Sequence, residues 1–360
     1  MKGSRFLLAA GFLAALAIRV AYLRHFTTNP DVAAFENTIA VLRGGGDLYR
    51  DTPRYNYSPL WAGVLLAVDA AARWLHVSVG AALGAWLLAV DAATALLLSR
   101  LAGGGRRGAS AALLFFGNPV SIFVSSFHLQ FDDFAIFFLL LALARGVRTP
   151  AARVGTAIAL AASILVKHVT VFFPPLFVRR RGRAGISFLE GAVPYVLFAA
   201  AFLPFARSWE GIRKNVLGYR SLGEDYGTAM LLKIPGAPPG LPTAVFLLGV
   251  VAALLLLRRH AVEPARACLL LFLVMLLLIP GVCEYYFVWP VALGALFGGA
   301  GYLVYTLVVS AFFLGSPDGL NLPLTHLPGW HGVWWSLLFW LAWEVRRLSG
   351  KTDASGIMAA

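Results

Sequence analysis

Gly80-Ala81-Ala82-Leu83-Gly84-Ala85-Trp86-Leu87-Leu88-Ala89-Val90-Asp91-Ala92-Ala93-Thr94-Ala95-Leu96-Leu97-Leu98 carries one ionisable side chain, Asp91, in a run otherwise free of charge. Spanning a hydrocarbon core of roughly 30 Å takes about 20 helical residues, and this run supplies that length. Comparable runs occupy Phe6 to Tyr22, Ile186 to Phe205 and Leu241 to Leu257. The composition agrees. Of 360 residues 59% are apolar and 13% charged, and mean hydropathy is +0.77. A soluble chain carries about 25% charged residues. The sequence therefore predicts an all-α, polytopic transmembrane protein, with residues 1–360 as a single integral membrane domain.

The net charge of +13 does not indicate a nucleic-acid partner. The basic residues stand in short clusters between apolar runs, at Arg106-Arg107, Arg179-Arg180-Arg181-Gly182-Arg183, Arg258-Arg259 and Arg346-Arg347. That is the pattern of cytoplasmic loops, which also meet anionic membrane lipid. Cys268 and Cys283 show no ligand spacing and give no disulfide framework. Lys2 and Arg5 precede the first apolar run without a small-residue cleavage site, so a retained first helix with a cytoplasmic N-terminus is expected.

Two polar stretches, 24–57 and 206–240, exceed ordinary connections. With both termini cytoplasmic, both stretches are expected on the outer face of a multi-pass cell-membrane protein. The apolar runs themselves give an odd count: 5–23, 58–75, 80–99, 109–127, 134–145, 154–166, 169–178, 186–205, 241–257, 267–281, 286–298, 301–315 and 332–345. In one resolution, 154–178 is a single tilted helix, which puts basic loops outside. In the other it is a hairpin of two short helices broken at Lys167-His168, and 58–75 or 80–99 is a partial or re-entrant element. The second keeps every basic loop inside and every polar motif outside, and it is the preferred expectation. Broken backbone at membrane depth must line a cavity or be buried in protein.

An ionisable side chain at the bilayer centre costs about 2.5–3.5 kcal/mol on insertion scales, so each marks a functional candidate. Asp31 stands in Asn29-Pro30-Asp31-Val32-Ala33-Ala34-Phe35-Glu36, where the proline and acids also suit the capped start of a helix. Arg54-Tyr55-Asn56-Tyr57-Ser58-Pro59 leads into the next run, and its aromatics also fit an interfacial belt. Asp91 has no lysine or arginine four residues away, so it requires a polar cavity or a partner helix. The densest cluster is Ser125-Ser126-Phe127-His128-Leu129-Gln130-Phe131-Asp132-Asp133, where His128 and Asp132 are spaced to share a helix face. Lys167-His168 interrupts an apolar run, and a phosphate is the natural partner of such a lysine. Glu284-Tyr285-Tyr286-Phe287-Val288-Trp289-Pro290 marks the outer end of a further short hairpin.

Taken in order, these motifs resemble the GT-C superfamily of membrane glycosyltransferases, which use polyprenyl-phosphate sugars. Residues 31–145 and 283–290 are most similar to the glycosylphosphatidylinositol mannosyltransferase I family. Phe127-His128-Leu129-Gln130-Phe131 and Lys167-His168 resemble the dolichyl-phosphate-glucose glucosyltransferases of N-glycan assembly. The resemblance implies a GT-C-like architecture and an outer-face site. Asp31 would be the general base that deprotonates an acceptor hydroxyl, with inversion at the anomeric carbon of a hexose such as mannose or glucose. Lys167 and His168 would stabilise the leaving phosphate, helped by Arg54 or Arg220. Glu36, Tyr55, Tyr57, Asp91, His128, Gln130, Asp132, Glu284 and Tyr285 would complete the substrate-binding set. The expected partners are a polyprenyl-phosphate sugar donor and a lipid- or protein-linked glycan acceptor.

One departure bears on cofactors. The mannosyltransferase I family carries Asp-x-Asp in its first loop, whereas Val32 and Ala33 follow Asp31 here. A lone carboxylate is a poor site for Mg²⁺ or Mn²⁺. No metal ligand is assigned, and a divalent metal stays open with Glu36 or Asp132 as its second ligand. Two other classes compete with the enzyme: a secondary transporter with broken helices around Asp91 and Lys167, and a non-catalytic assembly or lipid-binding protein.

Overall fold

The computed structural model describes residues 2–52, 55–179, 184–219, 226–232, 238, 240–316 and 329–356. These residues fold as helices and their connections, and the one β-type pairing among them is an isolated bridge between Val178 and Ile186. Three described helices are long and apolar enough to cross a membrane: Phe6–His25, Val79–Leu101 and Leu241–Arg259. The number rises to five if two bent pairs each count as one span. These are Gly105–Phe116 with Pro119–Phe127, bent by 47°, and Phe188–Ala201 with Leu203–Leu217, bent by 52°. The structure divides into two compact units, Met1–Arg220 and Ser221–Ala360.

The first unit contains α1 (Lys2–His25), α2 (Pro30–Arg43), α3 (Pro59–Leu75), α4 (Val79–Leu101), α5 (Gly105–Phe116), α6 (Asp132–Arg145), α7 (Pro150–Val166) and α8 (Phe188–Ala201). Short polar side chains start many of them by accepting the backbone N–H groups that a first turn leaves over: Asn29 for α2, Ser58 for α3, Ser78 for α4, Thr149 for α7 and Ser187 for α8. Glycines set the closest approaches. A Cβ on Gly80 would lie 1.8 Å from the Thr27 carbonyl oxygen, and one on Gly108 would lie 2.5 Å from that of Ser99. Helix α4 thus starts beside the end of α1 and finishes beside the start of α5. Helices α6 and α7 form the next hairpin, with Ser163 Oγ donating to Ala135 O at 2.7 Å.

Helix α7 ends at Lys167, whose backbone is extended (φ −148°, ψ 114°). A 3-10 turn, His168–Phe172, and one helical turn, Pro174–Phe177, then lead the chain back. The return is visible at its far end, where Val178 pairs with Ile186 and Glu190 of α8 meets Arg153 of α7 at 3.1 Å. The 154–178 run is therefore broken where Lys167-His168 stands. It is one helix and an irregular return segment, in place of two short helices. Helix α3 takes a different course from α4. Its cap Ser58 donates to Leu165 O beside the break, and its last turn joins α4 next to Thr27. Both ends of α3 lie at the same end of the unit, so residues 58–75 lie across that end while α4 runs the unit's length.

The charges divide along the same axis. Arg100, Arg106, Arg107, Arg145, Arg148, Arg153 and Arg179 gather at the end formed by the α4–α5, α6–α7 and return-segment turns, with Glu190 as the described acid among them. The opposite end holds Asp31, Glu36, Asp47, Asp51, Asp69 and Glu210 with Arg24, Arg43, Arg50, Arg73, Arg207, Arg213 and Lys214, so acids there nearly balance the bases. The stretch 24–57, expected as a loop, contains the 14-residue helix α2. Helix α2 buries Val32, Phe35 and Ile39 against Trp61 and Leu65 of α3.

In the second unit α9 (Leu241–Arg259) and α10 (Pro264–Leu278) form a hairpin, followed by α11 (Ala300–Gly315) and α12 (Trp330–Gly356). Glu263 caps α10 by accepting from the N–H groups of Ala265 and Arg266. The 286–298 run is not one helix: a 3-10 turn, Glu284–Val288, precedes a short helix, Val291–Phe297. A Cβ on Gly294 or Gly301 would stand 2.5 Å from the Trp340 ring, so these glycines seat that tryptophan. Glu344 is fully buried and faces Arg347 at 3.2 Å and Arg266 at 3.7 Å. The expected loop 206–240 is only partly described, and its described part forms short helical turns such as Arg213–Leu217 and Thr228–Leu231.

Candidate functional site

The site is built on the segment from Gly117 to Asp133, which cannot be a continuous α-helix. Gly117-Asn118-Pro119 breaks it, and Asn118 starts one turn, Pro119–Ile122, by accepting from the Val120 N–H. Phe123–Phe127 follows as a π-helical turn. Single π turns inside helices recur at functional sites, because the extra residue re-aims side chains. Leu129 then takes a left-handed backbone (φ 56°) although it is a buried leucine. A non-glycine residue pays for this conformation and keeps it only when its surroundings enforce it. His128 and Asp132 therefore do not share a helix face: the chain leaves the π turn before Leu129 and re-enters a helix at Asp132.

This irregular segment meets the expected residues one after another. Gln130, fully buried, donates through Nε2 to Asp31 Oδ2 at 2.6 Å. Asn29 Nδ2 donates to the His128 carbonyl at 2.8 Å. The helix start expected here is present, with Asn29 as the cap of α2, Pro30 opening it and Asp31 in its first turn, and the Asp31 carboxylate also receives Gln130. Phe131 stacks on Trp61, with ring centroids 3.5 Å apart and planes 13° apart, and meets Tyr57 edge-on at 4.8 Å. Asp132 accepts from Lys167 Nζ at 2.5 Å, and that ammonium lies 5.4 Å from the centre of the Phe131 ring. Asp31 and Lys167 are thus anchored two residues apart on one strip of backbone. Both ions of the Lys167–Asp132 pair are buried, so a phosphate reaching Lys167 must share it with Asp132.

Asp91 belongs to a second, deeper group. Its partner is Arg19 of α1, at 2.5 Å with both side chains buried. The same guanidinium donates to Ser125 Oγ at 2.7 Å, Ser126 Oγ at 3.2 Å, Ser121 Oγ at 2.9 Å and the Phe116 carbonyl at 3.0 Å. Ser121 Oγ in turn donates to Asp133 Oδ2 at 3.2 Å. Neighbouring residues Asp132 and Asp133 therefore serve different groups. Arg19 is the residue that reasoning from sequence missed, although its signal was present: an arginine late in one apolar run and an aspartate in another.

The remaining expected residues are placed as follows. Glu36 is exposed on α2, five residues beyond Asp31 and on another face. Tyr55 is buried and donates to the Ser58 carbonyl, so it supports the start of α3. His168 opens the 3-10 turn beside Lys167 and is half-buried. Arg54 and Arg220 lie outside the described residues. Glu284 and Tyr285 belong to the second unit, where buried Glu284 accepts from Ser316 Oγ and Tyr285 meets Tyr286 edge-on. Among the described residues no three His, Cys, Asp or Glu side chains converge to hold a metal ion. Comparison of the chain with protein-family models, curated proteins and solved structures finds no match.

Proposed function

We propose that the chain is a multi-pass membrane glycosyltransferase of GT-C-like architecture. It would move a hexose from a polyprenyl-phosphate donor to a glycan acceptor on the outer face. The observation that carries this reading is the Gln130–Asp31 contact, which fixes a half-buried carboxylate at the end of the first unit where acids accompany the arginines, opposite the end where arginines stand almost unbalanced. In this reading the positive-inside rule makes the end with the unbalanced arginines cytoplasmic, and Asp31 would face outside. A hydroxyl becomes an adequate nucleophile when a positioned carboxylate takes its proton in the transition state. In this mechanism Asp31 accepts that proton, the acceptor oxygen bonds to the anomeric carbon, and the bond to the lipid phosphate breaks with inversion. The phosphate leaves with the bonding electrons, and Lys167 supplies a fixed cation for the charge that develops.

Membranes carrying the protein should consume a polyprenyl-phosphate hexose, with mannose and glucose donors tested first. Asp31→Asn keeps shape and hydrogen bonding but cannot accept the proton, so transfer should fall about 10²–10⁴-fold while protein yield and donor binding persist. Full activity in that variant would remove Asp31 from the mechanism. Buried charges and a broken segment also suit a secondary transporter. Uptake of a solute into vesicles without sugar transfer would favour that reading.

A further inference from the structure

Arg19 is the most heavily engaged ion in the first unit, and the chemistry assigned to Asp31 makes no direct use of it. Its acceptors other than Asp91 are the Phe116 carbonyl and the hydroxyls of Ser121, Ser125 and Ser126. All four lie on one stretch of chain, from the end of α5 to the π turn. Asp91 meets the same guanidinium from α4, and Ser125 Oγ also donates to Asp91 Oδ2 at 2.5 Å. Ten residues further along the chain, Asn29 grips His128 of the same stretch, and Asp31 receives Gln130. Helix α1 and its extension therefore clamp the irregular segment at two heights, and Asp31 follows directly from the second clamp. A regular helix would hold its own register through backbone bonds. This segment has a proline break, a π turn and a left-handed leucine, so its register must come from side chains.

We infer that Arg19 is a positioning residue: its planar fork fixes the Phe116–Phe127 backbone so that Gln130 is presented to the Asp31 carboxylate. The inference rests on the general-base reading of Asp31 for its catalytic consequence, but the clamp itself does not. Lysine cannot reproduce the arrangement, because a single ammonium has no rigid fork with which to reach acceptors on two sides.

Replacing a buried ion pair by apolar residues of similar volume is often neutral for stability. The double variant Arg19→Met/Asp91→Leu therefore separates positioning from bulk stability. It should still fold, with a lower melting temperature because the Phe116 carbonyl and the buried serines lose their donor, and keep its KM for donor and acceptor, while kcat per folded protein falls about 10²-fold, the loss that a 1 Å misplacement produces. Amide hydrogen exchange at His128 and Gln130, whose N–H groups bond to Phe123 O and Val124 O, should accelerate while the middle of α4 stays protected. Arg19→Lys should show the same kcat loss with stability retained, and it carries the test alone if the double variant fails to fold. A stable variant with wild-type kcat and unchanged exchange at residues 128–130 would overturn the proposal. Faster exchange in a protein that transfers no hexose would leave the clamp standing and remove the glycosyltransferase reading.

Discussion

Lys167 shows why a charge in such a site cannot be removed alone. Its ammonium lies 2.5 Å from the carboxylate of Asp132, and the Asp132 side chain is fully buried. Lys167→Ala leaves that carboxylate without its cation, and breaking a buried pair from one side costs about 3–5 kcal/mol. The single variant should therefore lose thermal stability as well as donor binding. Lys167→Met/Asp132→Leu removes both charges, so its melting temperature should return toward the wild-type value. Donor affinity should stay at least tenfold down, since loss of a hydrogen bond to a charged group costs about 1.5–3 kcal/mol. Titration of each variant with a donor analogue measures this, and wild-type affinity in the double variant would exclude Lys167 from phosphate binding. The sequence exposed this lysine because it interrupts an apolar run. It did not expose the partner, because Asp132 lies 35 positions away in a cluster that also holds Ser125, Ser126, His128, Gln130 and Asp133.

Among elements, α4 shows which part of a helix is legible in advance and which is not. Its apolar run and its buried aspartate were both plain in the sequence, whereas its neighbours were set by glycines whose role appears only on contact. Gly80 lies so near the Thr27 backbone that a methyl group has no room. Gly80→Ala must push α4 away from the end of α1, and overpacking of this kind costs about 1–3 kcal/mol. A lower melting temperature is the expected result, and an unchanged one would mean that this contact yields freely. The break at Lys167 was legible because two polar residues cannot sit inside an ordinary apolar helix. The course of α3 was not. A 17-residue run reads the same whether it traverses a layer or lies across one end of it, and the decision is made by where Ser58 finds an acceptor.

For the whole molecule, the proposed orientation is tested on the first unit. Cysteine introduced at His128 should react with reagents confined to the outer face, and cysteine at Arg106 with reagents confined to the cytoplasm. Labelling of both from one side would contradict the charge division along the axis of that unit. Distance in the chain has a further meaning once synthesis is considered, because residues that end as neighbours are not made together. Arg19 precedes Asp91 by 72 residues. At about 5–20 residues per second, α1 waits roughly 4–14 s for its counter-ion. During that interval a lone arginine in the bilayer carries an insertion cost of about 2.5–3.5 kcal/mol. Chains truncated before α4 never escape that cost, so they should be extracted from membranes and degraded, whereas chains extended through α5 should be retained. Equal retention of the two lengths would show that α1 needs no partner. If retention does depend on α4, membrane residence of this protein is decided part-way through its own translation, at the moment when the fourth helix delivers Asp91.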